Sequence, residues 1–159
     1  VPPSDLERIF AALEDSGARY LVVGGVAVVL HGHLRFTADL DLALALDDRN
    51  VERALNALEG LGYRPRAPVA LRAFADPGQR ALWSAELPGT EIDLFVEDPL
   101  PFEAGFERRL LAEIGELRVS VASLADLIEM KRRAGRARDL DDVRELEAIA
   151  RETEERRRG

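Results

Sequence analysis

Cysteine is absent from the 159 residues, which excludes disulfides, thiolate metal sites and cysteine nucleophiles. Lysine is almost absent: Lys131 is the single one among 22 basic residues, so positive charge is carried by arginine. Net positive charge is lacking too. The formal charge of -8 opposes broad, sequence-independent adhesion to a polyanion, which needs a basic face that releases counterions, but it leaves room for a local basic pocket. No apolar run approaches the ~20 residues that span a bilayer, and the longest, residues 20–30, reads as a core segment. No basic start, apolar stretch and small-residue cleavage site combine near residue 1, so the expectation is a cytoplasmic protein without a membrane partner.

What is present suits one compact α/β domain: 47% of the residues are hydrophobic, and the length is too short for two ordinary domains. Residues 1–151 read as that domain and 152–159 as a charged tail that frays. Leu6, Ile9, Phe10 and Leu13 recur at helical spacing within 4–17, with Ser4 as N-cap, Glu7 three residues on and Gly17 as the stop. Residues 19–23 read as a strand, Gly24-Gly25 as a break, and 26–31 as a short buried helix. Residues 37–46 alternate, and a second helix is expected over 48–61. Three short strands are expected over 69–75, 80–87 and 90–96, set apart by Pro77-Gly78 and Pro88-Gly89 as turns of an antiparallel meander. Residues 102–111 read as a short helix, 117–121 as a strand, and 123–133 and 140–151 as helices separated by Gly135.

Chemistry gathers on the alternating strand. Asp39, Asp41, Ala43 and Ala45 fall on one face and Leu40, Leu42, Leu44 and Leu46 on the other, so two aspartates with Cα atoms ~6–7 Å apart can both reach one cation. Hard divalent cations take oxygen donors, and Mg²⁺ in phosphoryl-transfer sites uses one or two carboxylates plus phosphate and water. Asp93, embedded among strand formers in 91–95, is the candidate third carboxylate. Aspartate is depleted in strands, and clustered negative charges repel unless a cation neutralises them, so a site explains the trio better than a solvated face does. Gly24-Gly25, between strand and helix, lets backbone amides approach a phosphate; it lacks the Gly-Lys-Ser/Thr of a Walker loop. His31 and His33 flank Gly32 with no third soft ligand nearby, which favours packing or hydrogen bonding at a helix end. Trp83 reads as core or sheet cover.

Gly24-Gly25-Val26-Ala27, His31-Gly32, Arg35, Thr37 and Asp39-Leu40-Asp41-Leu42 together resemble the signature of the DNA polymerase beta-like nucleotidyltransferase superfamily. The Arg-x-Thr-x-Asp-Leu-Asp-Leu phrase and residues 130–142, MKRRAGRARDLDD, look like the abortive-infection (AbiEii-type) nucleotidyltransferase toxins and their small relatives. The resemblance implies an α+β fold in which a mixed, mostly antiparallel sheet is flanked by helices. It further implies Asp39, Asp41 and Asp93 as catalytic residues holding Mg²⁺ or Mn²⁺, with Gly24, Gly25, Arg35, Thr37 and Lys131 on the nucleotide. The activity implied is transfer of a nucleoside monophosphate from a nucleoside triphosphate to an acceptor hydroxyl, on RNA such as transfer RNA or on a small molecule. A toxin-like role with an antitoxin-like partner is the corresponding expectation. Arg132, Arg133, Arg136 and Arg138 form a basic stripe that would serve acceptor recognition, while Asp139 and Asp142 are expected to cap or pair on the last helices. The alternative is a non-catalytic nucleotide-binding or protein-interaction module with the same fold.

Overall fold

The computed structural model describes residues 3–65, 84–87, 90–95 and 99–159. Helix α1 (Pro3–Ser16) leads into β1 (Tyr20–Val23), α2 (Gly24–Leu30), β2 (Asp39–Leu44) and α3 (Asp48–Gly60). Strands β3 (Arg64–Pro65), β4 (Ser84–Leu87) and β5 (Thr90–Leu94) follow, then α4 (Phe102–Glu107), β6 (Leu110–Ile114), β7 (Leu117–Val121), α5 (Leu124–Ala134) and α6 (Ala137–Arg158). Among the described residues the strands form one sheet in the order β3-β4-β5-β2-β1-β7-β6. The pairs β1/β2, β3/β4, β4/β5 and β6/β7 are antiparallel, while β2/β5 and β1/β7 are parallel, so the expected mixed, mostly antiparallel sheet is observed.

Strand β1 lies near the middle because all four of its side chains are apolar and buried. Strand β2 beside it keeps Leu40, Leu42 and Leu44 fully buried while Asp39 and Asp41 are partly open. Helix α1 packs Ile9, Phe10 and Leu13 into the core and lies against α3 and β7; α2 lies on β1 and β2 and touches α5, which runs along α6. Buried Asn50 ties this frame together. Its Nδ2 donates to the carbonyls of Arg19, 2.9 Å away, and Ala45, 2.8 Å away, and its Oδ1 accepts from the Arg19 amide, so the start of β1 and the end of β2 are held to α3. Asp47 caps α3 through the Asn50 amide, and Ser123 caps α5 through the Asp126 amide.

Several sequence expectations need correction. Ser4 lies inside the first turn of α1, which begins at Pro3, and is not its N-cap. The helix expected over 102–111 ends at Glu107; Leu110 and Leu111 open β6, which pairs with β7 and satisfies its backbone groups there. The meander is present, but β3 at Arg64–Pro65 is its first strand; the expected strand at 69–75, both proline-glycine turns and Trp83 lie outside the described residues. Helix α6 starts earlier than expected and continues to Arg158, so residues 152–158 are helical; Thr153 bonding back to the Ile149 carbonyl and the Glu154–Arg158 pair four residues apart support those last turns. No helix among the described residues is long and apolar enough to cross a membrane.

Candidate active site

The glycine pair is explained by what crowds against it. Gly24 has φ +67°, and a Cβ there would overlap the carboxylate of Asp41. A Cβ on Gly25 would stand 2.5 Å from Thr37 Oγ1 and 3.1 Å from Arg35 Nη2. The missing side chains therefore admit the protein's own carboxylate, hydroxyl and guanidinium against the first turn of α2. Thr37 Oγ1 donates to the Asp39 carbonyl at 3.2 Å and shapes the entry to β2.

Parallel pairing of β2 with β5 sets Asp41 directly beside Asp93 and Asp39 beside Glu91. Partners in register on neighbouring strands point to the same face and sit roughly 4.8 Å apart, so Asp93 joins the face that Asp39 and Asp41 share. Burial pushes the Asp41 carboxyl up from its ordinary 3.8 to about 6; Asp93 and then Asp39 push the same way, and Lys131 and Arg136 offset them only in part. Such crowding fits a divalent cation, because oxygen donors of one sign are gathered at a half-buried position. Among the described residues no three His or carboxylate side chains already close into a cage. Mg²⁺ does not require one, since substrate phosphates and water complete its shell.

Across from these carboxylates lies a second, oppositely treated pair. Asp139 and Asp142 are fully buried on α6. Lys131 Nζ lies 3.3 Å from Asp139 and 3.0 Å from Asp142. Arg35 Nη2 donates to Asp142 at 3.0 Å; its Nε is equally near the other oxygen without hydrogen-bond alignment, which leaves that Nε buried and unbonded. Arg136 donates through its backbone amide and through Nε, 3.2 and 2.6 Å from Asp139 Oδ2, closing a cap on α6. Burial works to raise the Asp139 carboxyl, yet the hydrogen bonds from Arg136 and Lys131 outweigh it and hold the group below its ordinary value. Lys131 is thus neither solvated nor free at the end of α5: it is buried and doubly paired. Arg35 is paired with an aspartate, Asp142, and not with Asp39 or Asp41.

A cavity of about 410 Å³ separates the two clusters. Gly24, Gly25, Arg35, Thr37, Asp39, Asp41 and Lys131 line it, so seven of the eight residues proposed from the sequence meet there; Asp93 neighbours it through its register with Asp41. Phe95, Leu127 and Met130 add an apolar wall, and Arg133, Arg136 and Arg138 a basic rim. Sequence reasoning placed Arg136 in the acceptor stripe and left Asp139 and Asp142 to cap or pair on the last helices, but did not set these aspartates against Arg35 and Lys131. The signal was present: Asp139, Asp142, Val143 and Leu146 fall at helical spacing on one buried stripe, where carboxylates replace apolar residues. His31 packs as expected, its Nε2 donating to the Ala122 carbonyl at 2.8 Å while burial lowers its pKa.

The fold is similar to those of solved nucleotidyltransferase structures. The solution structure of the antibiotic-resistance factor ANT(2'')-Ia is 15% identical with a TM-score of 0.62, over 97% of this chain and 91% of that one. A crystal structure of ANT(2'')-Ia in complex with adenylyl-2''-tobramycin gives 15% and 0.58, over 97% of each. An antigenic nucleotidyltransferase-like protein from Paracoccidioides brasiliensis gives 17% and 0.64, over 92% of this chain and 74% of that one. No curated protein matches the sequence. The profile of the family described as Nucleotidyltransferase of unknown function (DUF6036) matches residues 4–154, almost the whole chain, and the chain belongs to that family.

Proposed function

We propose that the protein is a Mg²⁺- or Mn²⁺-dependent nucleotidyltransferase that moves a nucleoside monophosphate from a nucleoside triphosphate to an acceptor hydroxyl, on RNA or on a small molecule. The observation that carries this reading is Asp41 pressed against Gly24, in register with Asp93 and on the face of Asp39, at the wall of one cavity. Asp39, Asp41 and Asp93 would hold the metal, which when bound supplies electrostatic stabilisation of the triphosphate and lowers the pKa of the attacking hydroxyl. Gly24, Gly25, Arg35, Thr37 and Lys131 would face the phosphates. The acceptor oxygen forms a bond to the α-phosphorus, the bond to the bridging oxygen breaks, and pyrophosphate leaves; Asp93 receives the hydroxyl proton or serves as a ligand. The buried pairs keep Arg35 and Lys131 oriented toward the cavity at no reorganisation cost during the reaction. A small-molecule acceptor has a parallel in the neighbour solved with adenylyl-2''-tobramycin. The toxin role, with its antitoxin-like partner, rests on sequence phrases alone.

Incubating the protein with each α-labelled nucleoside triphosphate, Mg²⁺ or Mn²⁺, total RNA and an aminoglycoside panel tests the proposal. Label transfer by the native chain and none by Asp41→Ala is the expected result. Metal-dependent nucleotide binding without transfer to any acceptor would instead favour the non-catalytic module.

A further inference from the structure

The acceptor side of the cavity carries its own chemistry. Phe36 is 85% exposed and yet lines the cavity, and Leu34, two residues earlier on the same side of an extended segment, is 83% exposed. Both open to solvent because the alternate residues of 31–39 turn inward. An exposed aromatic ring on the lining of a cavity that also holds carboxylates offers a face on which a planar group can stack. Beside it, Arg133, Arg136 and Arg138 form a basic rim in a protein whose net charge is -8. Among the described residues Arg133 is paired with Glu129 and Arg136 with Asp139, whereas Arg138 has no acidic partner. Arg138 offers a polycationic aminoglycoside no favourable contact there. A single strand of nucleic acid meets both features, since its bases stack on aromatic faces and its phosphates accept from guanidinium groups.

We infer that Phe36 and Arg138 form an acceptor subsite for the end of a single-stranded nucleic acid, Phe36 stacking the terminal base and Arg138 contacting the adjacent phosphate. The inference deepens the nucleotidyl-transfer reading and rests on it only in calling the bound strand an acceptor. A short strand is small enough to work within an acidic protein, because one or two local contacts replace an extended basic face.

Fluorescence anisotropy with a labelled six-nucleotide RNA and the DNA of the same sequence tests the subsite. Binding of either strand supports it, and a preference for RNA adds a 2'-hydroxyl contact. Phe36→Ala is expected to weaken binding about tenfold and Phe36→Trp to retain it. Arg138→Gln is expected to lower the slope of log affinity against log salt by about 0.7. Both side chains are exposed, so circular dichroism melts should match those of the native chain. Binding unchanged in Phe36→Ala and Arg138→Gln, or displacement of the strand by tobramycin, overturns the inference. So does a dimer that Phe36→Ala converts to a monomer while strand binding stays intact, which would make the face an interface between copies. Calorimetry with ATP and Mg²⁺ on the native chain and on Asp41→Ala runs alongside. Aspartate-dependent nucleotide binding without strand binding removes this inference alone; strand binding without nucleotide binding removes the transfer reading and leaves the subsite as a nucleic-acid contact.

Discussion

Two groups of aspartates meet at one cavity, Asp39 and Asp41 lining it from one group and Asp139 from the other, and the protein treats them in opposite ways. Asp139 and Asp142 are buried, and Lys131, Arg35 and Arg136 satisfy them; the Asp139 carboxyl is held below its ordinary pKa. Asp41, on the other wall, sits among carboxylates and is pushed up to about 6. A carboxylate saturated by arginine and lysine is a clamp that fixes helices and cationic side chains. One pressed against other carboxylates gains nothing for the fold by being charged, and under the proposed function a cation arriving with substrate would explain its charge. Identical residue types therefore separate into scaffold and site by their neighbours.

The sharpest way to break this contrast is to remove one member of the clamp. Asp142→Ala leaves Lys131 and Arg35 buried with surplus charge and is expected to cost about 3–5 kcal/mol, read as a fall in midpoint in urea. Gly24→Ala tests the opposite wall: a Cβ that overlaps Asp41, at a positive φ, should cost about 3 kcal/mol. Without divalent metal, Asp41→Asn is expected to stabilise the protein at neutral pH by about 2 kcal/mol. The folded pKa of Asp41 lies above its ordinary value, so its favourable contribution is complete only below about pH 4 and is lost as pH rises through about 6. The gain from asparagine should therefore appear across that window and vanish at its acid end in a series of melts. Asp139 runs the other way: its depressed pKa favours folding above the ordinary aspartate range, and that favour is lost as pH falls through the folded value. The smallest effect belongs to Arg132→Ala, whose pair with Glu147 lies at the surface between α5 and α6; a change of about 0.5 kcal/mol or less is expected.

The carboxylate wall was legible because β2 writes its two faces into its sequence: alternate leucines are buried, alternate aspartates open, and a period of two leaves no second interpretation. Helical spacing announced α3 over 48–61 and α5 from Ser123 onward, and the structure adds the caps at Asp47 and Ser123. Tertiary facts were less legible. Leu110 and Leu111 continue a helical pattern as well as they begin β6, and only pairing with β7 decides between the two. The role of Gly24 and Gly25 as room for Asp41, Thr37 and Arg35 depends on distant residues converging. The burial of Lys131 against Asp139 and Asp142 was not legible at a helix C-terminus, although two carboxylates on the buried stripe of α6 were the available warning.

Thermal melting with and without Mg²⁺, on the native chain and on an Asp39→Ala, Asp41→Ala double variant at pH 7.5, tests most directly whether the crowded carboxylates are a metal site. The metal should raise the native midpoint, by about 2.7 kcal/mol of added stability at a hundredfold excess over its dissociation constant, and leave the double variant unmoved. Equal shifts in both proteins, or none in the native chain, would contradict the assignment of Asp39 and Asp41 as the residues that hold it.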